Sequence, residues 1–220
     1  MGTAQGAQQF RSLLVQGLDA LALDLPPPAI DQLMRYLALL QQWNSVYNLT
    51  AVRDPGQMLV QHLIDCLAAV PALRRLTQGR TLRVMDVGSG GGLPGLVWAT
   101  VFPAWSITCV DAVAKKAAFI RQAAGELSLG GVRSMHGRVE QLQDVGEQDL
   151  ITSRALGSLA DLVRLTQPLL AAGGHWLAMK GRRPVDELAE LPTTVDVFHV
   201  EPLQVPGLDA QRCLVWMRPA

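Results

Sequence analysis

"MDVGSGGGLPG", residues 85–95, contains five glycines between two apolar stretches of the chain. Residues 82–87 are predicted as a β-strand and residues 93–103 as a helix. Because glycine has no β-carbon, the backbone between them can adopt positive φ and approach a ligand closely, and the free amides of the next helix can face that ligand. A strand, a glycine turn and a helix in this order predict a ligand cleft at the carboxyl edge of an open α/β sheet.

The alternation of strand and helix continues beyond this segment, which is the pattern of a parallel sheet covered by helices on both faces. The next predicted strands are 107–111, 132–136, 149–153 and 174–180, and the predicted helices between them are 113–127 and 157–170. Two more strands, 195–200 and 212–218, follow a brief helix near 185–190, and we expect them to form an antiparallel pair. The predicted fold class is therefore α/β, with a seven-stranded, mostly parallel, Rossmann-like sheet and a closing antiparallel hairpin.

A small helical unit precedes the sheet. Apolar residues recur at three- and four-residue spacing on both sides of Pro26-Pro27-Pro28, which predicts two packed helices. A third helix is expected to begin at Asp54-Pro55 and to run to about Val70, because Asp accepts the unpaired amides of a first turn and Pro is preset for it. We therefore expect a helical N-terminal unit of residues 1–78 and a ligand-binding domain of residues 79–220.

The chain has 220 residues, of which 49% are hydrophobic and 17% charged, and this composition excludes a largely disordered protein. The 19 basic and 19 acidic residues balance, so any RNA binding must use a local basic face. The candidate clusters for such a face are Arg74-Arg75, Lys115-Lys116 with Arg121, and Arg182-Arg183. A solvated charged surface is an equally good interpretation of each cluster.

The three cysteines lie far apart and form no Cys-x-x-Cys pair, which favours a reducing compartment over a disulfide framework. The N-terminus lacks the pattern of a signal peptide, and no apolar stretch reads as a membrane span. We therefore expect a cytoplasmic protein with no membrane partner. No long apolar heptad repeat is evident, which favours a monomer.

The glycine turn is compatible with two classes of cofactor. Gly90, Gly92 and Gly95 satisfy the dinucleotide fingerprint G-x-G-x-x-G, so a nicotinamide-dependent oxidoreductase is one alternative. Asp86 argues against it, because a carboxylate beside the loop would repel a pyrophosphate. The same carboxylate complements the sulfonium and ammonium groups of S-adenosylmethionine. The contacts expected from this segment are Asp86, Gly88, Gly90 and Gly92.

A second carboxylate, Asp111, ends the next strand 23 residues after Gly88. This spacing allows an acid to bind the ribose hydroxyls of either cofactor. A purely structural alternative stays open for both acids, in which Asp86 caps a turn and Asp111 caps the helix that begins near Val113.

Two segments, VMDVGSGGG at 84–92 and CVDA at 109–112, resemble the first two motifs of class I S-adenosylmethionine-dependent methyltransferases. Further segments resemble, in order and over nearly the whole chain, the bacterial glucose-inhibited division protein B family: WNSVYNLTAVRD, HLIDC, DVGSGGGLPGL, GRVEQL, TSRALGSL, AMKG and QRCLVW. Cys66 replaces the usual serine of that family, and Gly91 its more frequent alanine or proline. The resemblance implies methylation of N7 of a guanine in the decoding-region loop of 16S rRNA, presented as free RNA or as the 30S subunit.

The resemblance also implies site residues. It assigns cofactor contacts to Gly88 and Leu93 in the turn, to Val139 and Glu140 beside the adenine, and to Arg154 after the fourth strand. Glu140 is expected to accept the adenine amine, and a solvated acid in the first turn of a helix is the structural alternative.

The chain lacks the signatures of two other methyl-transfer chemistries. Enzymes of this class that methylate exocyclic amines usually carry Asn or Asp and two prolines after the fourth strand, where this chain reads SRAL at 153–156, and no cysteine stands in a nucleophile's position. Guanine N7 has a free in-plane lone pair, so no catalytic base is needed. We expect residues that hold the guanine instead: Arg154 first, then Lys180, and more weakly Arg212. A cap at the strand end is an equal alternative for Lys180.

The remaining polar and aromatic candidates are weaker. Trp43, Tyr47 and Asn48 can stack on an unpaired base, but anchoring of helix against sheet is the favoured interpretation of the aromatics. The histidines show no metal-site spacing, so no metal is expected, and His62 with Asp65 is predicted to be a structural hydrogen-bonded pair. A non-catalytic, ribosome-associated binding module remains a third interpretation of the whole chain.

Overall fold

The fold is built around one seven-stranded sheet. The computed structural model describes residues 4–142, 145–154 and 156–220, so Ala155 of the SRAL segment lies outside the described residues. The strands are β1 (Arg83–Val87), β2 (Ser106–Asp111), β3 (Val132–His136), β4 (Gln148–Ser153), β5 (Leu170–Lys180), β6 (Val195–Leu203) and β7 (Arg212–Pro219). Their order is β3-β2-β1-β4-β5-β7-β6. The first five pair in parallel, and β7 is antiparallel to both β5 and β6, which confirms the predicted fold class.

The helices lie within a few residues of where the sequence pattern predicts them, except in the third helical run. They are α1 (Ala4–Ala20), α2 (Pro27–Tyr47), α3 (Pro55–Met58), α4 (Asp65–Ala68), α5 (Val70–Thr77), α6 (Gly95–Val101), α7 (Ala114–Glu126), α8 (Leu159–Thr166) and α9 (Val185–Ala189). A π-helical stretch, Leu59–Ile64, joins α3 to α4, and the helical run continues to Thr77 rather than ending near Val70. In addition, β5 begins at Leu170 rather than 174, because a bulge containing Gly173 at φ +74° lets the strand resume its pairing.

Apolar side chains fill the space on both faces of the sheet. Successive residues of β1 alternate, with Val84 in one core and Met85 in the other. The larger core contains the buried side chains of α1 to α7, and the smaller contains those of α8. The proposed units 1–78 and 79–220 therefore share one core, and that boundary stays a proposal.

One helical run in the described chain, Pro55–Thr77, is long and apolar enough to cross a membrane by length and composition. Its most apolar window is 78% buried inside the protein, which is typical of a core helix. Asp54 caps this run, because its carboxylate accepts the Gln57 N–H at 2.8 Å, as the sequence predicts.

Candidate functional site

The glycine loop between β1 and α6 is fastened to the end of β2. The N–H groups of Gly88 and Ser89 donate to the Val110 carbonyl at 2.9 and 3.0 Å. Gly88, Gly90 and Gly92 adopt φ of +70°, +58° and +85°, a conformation that side chains other than glycine rarely take. At Gly92 a β-carbon would also lie only 2.5 Å from the Leu96 side chain. The prediction that this turn requires glycine is confirmed.

Asp111 joins this loop to the start of the next helix. Its Oδ2 accepts the Gly90 N–H and its Oδ1 accepts the Val113 N–H, both at 2.8 Å. Asp111 therefore has a structural role, but its bond to Val113 lies just before α7 and does not cap the first turn of that helix. Each carboxylate oxygen accepts one hydrogen bond here and has capacity for another, so Asp111 remains able to bind ribose hydroxyls.

A cavity of about 300 Å³ opens beside this carboxylate at the carboxyl edge of the sheet. Its walls include four residues that the sequence predicts as cofactor contacts: Gly88, Asp111, Val139 and Glu140. Val139 is buried at the start of the 3₁₀ turn Val139–Gln141, whereas Glu140 is exposed and lies 3.9 Å from the Arg138 guanidinium. The cavity thus brings together two carboxylates and an apolar wall, a combination that suits a nucleoside.

Gly90, Gly92 and Leu93 do not belong to the walls of this cavity. The Leu93 side chain is buried in the core beneath the loop, and its N–H donates to the Ser89 carbonyl at 2.9 Å. These three residues shape the loop, and direct contact of each with the cofactor stays a prediction.

Asp86 occupies a different place from the one the sequence analysis expects. Its side chain is fully buried beneath the loop, where Oδ2 accepts the Gly95 N–H at 2.9 Å. Burial raises the pKa of this carboxyl from 3.8 to about 6, although the hydrogen bond from Gly95 opposes that shift. The turn-capping alternative therefore describes Oδ2, and contact of Asp86 with the cofactor stays a prediction. Oδ1 is buried and has no hydrogen-bond partner among the described residues.

Arg154, at the end of β4, is bound to the N-terminal helices. Its Nη1 donates to the carbonyl of Gln61 at 2.9 Å, inside the π-helical stretch, and to Asp65 Oδ2 at 3.3 Å. The other oxygen of Asp65 accepts a hydrogen bond from Nε of Arg212 at 2.8 Å. One buried carboxylate therefore binds two arginines, one directly after β4 and one at the start of β7. We call Asp65, Arg154 and Arg212 the arginine junction. Burial lowers the pKa of Arg154, but the neighbouring Cys66 and Asp65 together outweigh it, so the net shift of this pKa is upward.

His62 borders the arginine junction, but it does not pair with Asp65. Its Nε2 lies 2.8 Å from the Thr50 hydroxyl, and its Nδ1 lies 3.4 Å from the Arg154 guanidinium. Burial and the nearby arginine lower the pKa of His62 from 6.5 to about 4. The predicted His62–Asp65 pair is therefore wrong, because each of the two residues bonds to Arg154 instead. At neutral pH the imidazole is uncharged.

Lys180, at the end of β5, is also engaged. Its ammonium donates to both Glu187 oxygens, at 2.8 and 3.1 Å, and to the Gly157 carbonyl at 3.1 Å. Glu187 in turn accepts the Leu159 N–H that begins α8. The structure supports the capping alternative, and contact of Lys180 with the guanine stays a prediction. Its charge is compensated, and it orders the connection from β4 to α8.

The cysteines do not supply a nucleophile. Cys66, Cys109 and Cys213 are all free and buried, and burial raises the pKa of each thiol. Among the described residues no group of three or more His, Cys, Asp or Glu side chains is placed to hold a metal ion. The expectation of no metal stays a prediction.

The sequence pattern predicts neither the role of Tyr36 nor the true partners of Asp65. Tyr36 of α2 is buried, and its hydroxyl donates to the Gly91 carbonyl at 2.6 Å, which ties the helical unit to the glycine loop. Asp65 was assigned to the wrong partner. A signal existed for Asp65, because a carboxylate inside the apolar run HLIDCLAAV needs a buried cation. No comparable pattern distinguishes Tyr36 from any other core aromatic residue.

Trp43 and Tyr47 lie at the end of α2. Trp43 is partly buried, and its ring centroid lies 5.4 Å from that of Phe119 in α7 and 5.0 Å from that of Tyr47. Trp43 is therefore an anchor, but it packs helix against helix rather than helix against sheet as the sequence predicts. Tyr47 is exposed.

Solved structures share the sheet and its flanking helices. A structure of TrmN from Thermus thermophilus has a TM-score of 0.58 and 22% identity, covering 74% of this chain and 53% of that one. The glycopeptide N-methyltransferase MtfA complexed with S-adenosyl-L-homocysteine has a TM-score of 0.60 and 13% identity, covering 71% and 90%. At such identities the likeness establishes the fold alone, a Rossmann-like sheet flanked by helices.

Sequence relatives are much closer. The ribosomal RNA small subunit methyltransferase G of Leptothrix cholodnii is 58% identical over 212 residues, covering 96% of this chain and 97% of the relative. That of Paracidovorax citrulli is 55% identical over 224 residues, covering 97% and 91%. The family described as rRNA small subunit methyltransferase G matches residues 29–215. On this match, the chain belongs to the rRNA small subunit methyltransferase G family.

Proposed function

We propose that this protein transfers a methyl group from S-adenosylmethionine to N7 of a guanine in the decoding-region loop of 16S rRNA. Membership of the family over residues 29–215 carries the proposal. Methyltransferase membership also removes the reason for the nicotinamide alternative, since G-x-G-x-x-G by itself is a weak signal.

The residues at the carboxyl edge fit the proposed cofactor. The cavity that contains Gly88, Asp111, Val139 and Glu140 has a size and polarity that suit a nucleoside. In this proposal Asp111 holds the ribose and Glu140 accepts the adenine amine. Beneath the glycine loop, the unpartnered Oδ1 of Asp86 leaves one buried acceptor for an ammonium group or an ordered water. When bound, S-adenosylmethionine supplies an electrophilic methyl group on a sulfonium.

The arrangement of side chains fits a reaction without a general base. Guanine N7 keeps its lone pair at neutral pH, so the protein has no proton to remove. Two titratable side chains that could act as bases are bonded to other groups: the His62 nitrogens face Thr50 and Arg154, and Lys180 is paired with Glu187. Catalysis then rests on orientation, which can contribute about 7–11 kcal/mol when reacting atoms are held in line.

In this proposal Arg154 is the residue that orients the guanine. It ends β4, next to β1 and its glycine loop, and the bonds to Gln61 and Asp65 fix its guanidinium. A fixed guanidinium can donate to O6 of guanine and leave N7 open toward the methyl group. Val139, Glu140 and the loop glycines would contact the cofactor rather than the base.

We also propose a substrate, a cellular location and an oligomeric state for this protein. A relative's name points to ribosomal RNA of the small subunit, so we propose 16S rRNA or the 30S subunit as the substrate. We also propose that the protein acts as a cytoplasmic monomer without a metal.

The test is methylation of ribosomal RNA from cells that lack this protein. Purified protein, labelled S-adenosylmethionine and either 30S subunits or deproteinised 16S rRNA are combined, and N7-methylguanine is located by borohydride and aniline cleavage. We expect one cleavage in the decoding-region loop. RNA from cells that contain the protein is the control and should accept no further methyl group. Methylation at another atom, or cofactor binding without transfer, contradicts the proposal; the second outcome would favour the non-catalytic binding module.

A further inference from the structure

We propose that a groove between the end of β5 and the β6–β7 connection binds the ribonucleotides that flank the target guanine. The proposal rests on the proposed function, since it assigns a further part of the same RNA to a site that is separate from the cofactor cavity. The groove has a volume of about 670 Å³, within the range of about 300–1,000 Å³ that is usual for ligand sites.

The sheet places this groove on the same edge as the cofactor cavity. β5 is parallel to β4, which is parallel to β1, so β5 ends at the edge where the glycine loop begins. In the antiparallel part of the sheet Lys180 pairs with Cys213, and Leu203 pairs with Arg212. The groove is therefore enclosed by Gly181, by the end of β6 and by the start of β7.

The groove is continuous with the arginine junction. Arg212 forms part of its wall, and the same side chain bonds to Asp65, which holds Arg154. A strand of RNA that presents its guanine to Arg154 therefore has this groove as the next site along the sheet edge. The walls are also pre-formed, because the β6–β7 connection is anchored by buried Val205 and approaches Val60 of the helical unit through Gly207.

The chemistry of the walls matches a phosphate and its sugar. Arg183 is exposed at the groove, and no ion pair within the described residues involves it. Gln204 and Gln211 add neutral donors and acceptors, and Leu208 adds an apolar surface. Asp209 is the one carboxylate in the described wall. Arg212 shares the carboxylate of Asp65 with Arg154, and Arg183 lines the groove with Asp209, so three guanidinium groups against two carboxylates give a locally positive surface in a chain of zero net charge.

The test compares two adjacent arginines. Arg183→Gln removes the charge in the groove, whereas Arg182→Gln removes the same charge from a residue outside its walls. We expect Arg183→Gln to raise KM for the RNA substrate about fivefold to tenfold and to lower the slope of log affinity against log salt by about 0.7. kcat and the Kd of S-adenosylhomocysteine should stay at their wild-type values. Arg182→Gln should change KM less than twofold.

Two results would overturn the proposal that the groove binds RNA: an unchanged KM in Arg183→Gln, or the same increase in KM in both variants. Either leaves the proposed function intact, provided that the wild-type protein methylates its guanine. If the wild-type protein transfers no methyl group, the proposed function fails first, and the two failures are distinguishable.

Crosslinking identifies the occupant directly. Ala210 is an exposed wall residue, and Ala210→p-benzoylphenylalanine places a photoreactive group in the groove. On 30S subunits we expect crosslinks to 16S rRNA within a few nucleotides of the methylated guanine. Crosslinks to a ribosomal protein instead, or to RNA remote from that loop, would overturn the proposal.

Discussion

The ends of β2 and β4 make an instructive comparison. Both strands are parallel members of one sheet, and a charged residue lies at or directly after the carboxyl end of each. Asp111 at the end of β2 binds the amides of Gly90 and Val113, which are 21 and 2 residues away in the chain. Arg154, just beyond β4, binds Gln61 and Asp65, which are 93 and 89 residues away.

The difference separates the contacts that follow from the order of neighbouring elements in the chain from those that depend on packing between distant segments. The surroundings of Asp111 follow from the strand–turn–helix order, since consecutive elements are neighbours and parallel strands end at one edge. The surroundings of Arg154 depend on how the helical unit packs across the sheet, which no spacing in the sequence encodes. The two ends should therefore respond differently to substitution: the β4 end through stability and geometry, the β2 end through cofactor binding.

The largest effect is expected at the arginine junction. Asp65→Asn leaves two guanidinium groups without their buried carboxylate, and removal of one partner of a buried ion pair costs about 3–5 kcal/mol. The arginine side chains are 23% and 24% exposed, so we expect the lower end of that range. The free energy of unfolding, measured with urea, should fall by about 3 kcal/mol, and kcat should fall as well because Arg154 is no longer held.

The matched control is Asp196→Asn. This carboxylate pairs with Arg218 at 2.8 Å on the surface, where an ion pair contributes about 0–1 kcal/mol. Equal losses for the two variants would show that the arginine junction has no special role.

The second effect concerns Asp86 and its dependence on pH. A folded-state pKa of about 6 against an unfolded value of 3.8 means that the folded protein binds more protons between these values, so this group's stabilisation is present below pH 4 and lost as the pH rises through 6. Asp86→Asn has no titrating carboxyl at this position, so it does not lose this stabilisation. The difference in the free energy of unfolding between the variant and the wild type should therefore increase by about 2 kcal/mol in favour of the variant as the pH rises from 4.5 to 8.

His62 opposes this trend in the wild-type protein. Its pKa is lowered to about 4, so its contribution is complete above pH 6.5 and disappears as the pH falls toward 4. Because His62 is present in both proteins, its contribution cancels in the difference between their free energies of unfolding. Urea titrations of both proteins across pH 4.5–8 therefore measure the contribution of Asp86 alone. A difference that is independent of pH would show that the carboxyl titrates normally. Weaker cofactor binding by the variant would place Oδ1 in contact with the cofactor.

Most of the fold could be predicted from the sequence, whereas only half of the site could. The seven strands and the glycine turn depend on local periodicity and on residues that only a tight turn requires, so their positions agree within a few residues. Gly88, Asp111, Val139 and Glu140 converge because they end or follow adjacent parallel strands. The partners of Arg154 depend on packing between distant segments, whereas Lys180 and Asp86 bond to Glu187 and Gly95, which are only 7 and 9 residues away, and no periodicity marks those pairings. The sequence indicates which charges are present there, and burial decides which of them pair.

The third effect tests the β2 end. Asp111→Asn keeps one carbonyl acceptor but removes the charge and one of the two acceptors that serve Gly90 and Val113. We expect the Kd of S-adenosylhomocysteine to rise about tenfold, which corresponds to 1.4 kcal/mol. Glu140→Gln is the control within the same cavity; because Glu140 is exposed, its effect should stay below about threefold. A larger effect for Glu140→Gln than for Asp111→Asn would reverse the assignment of the two carboxylates.

The smallest effect is expected at a hydrogen bond that connects the helical unit to the glycine loop. Tyr36→Phe removes the hydroxyl that donates to the Gly91 carbonyl and leaves that carbonyl buried without its partner, a loss of about 1–1.5 kcal/mol. Because Tyr36 belongs to the helical unit and Gly91 to the cofactor loop, part of this loss should appear as a twofold to fivefold rise in the Kd of S-adenosylhomocysteine, measured by calorimetry. Tyr47→Phe, at an exposed tyrosine of the same helix, should leave both quantities unchanged. If Tyr36→Phe reduces stability while the Kd stays constant, the helical unit supports the sheet without shaping the loop. A change in Kd would instead show that distant packing reaches the part of the site that local sequence predicts.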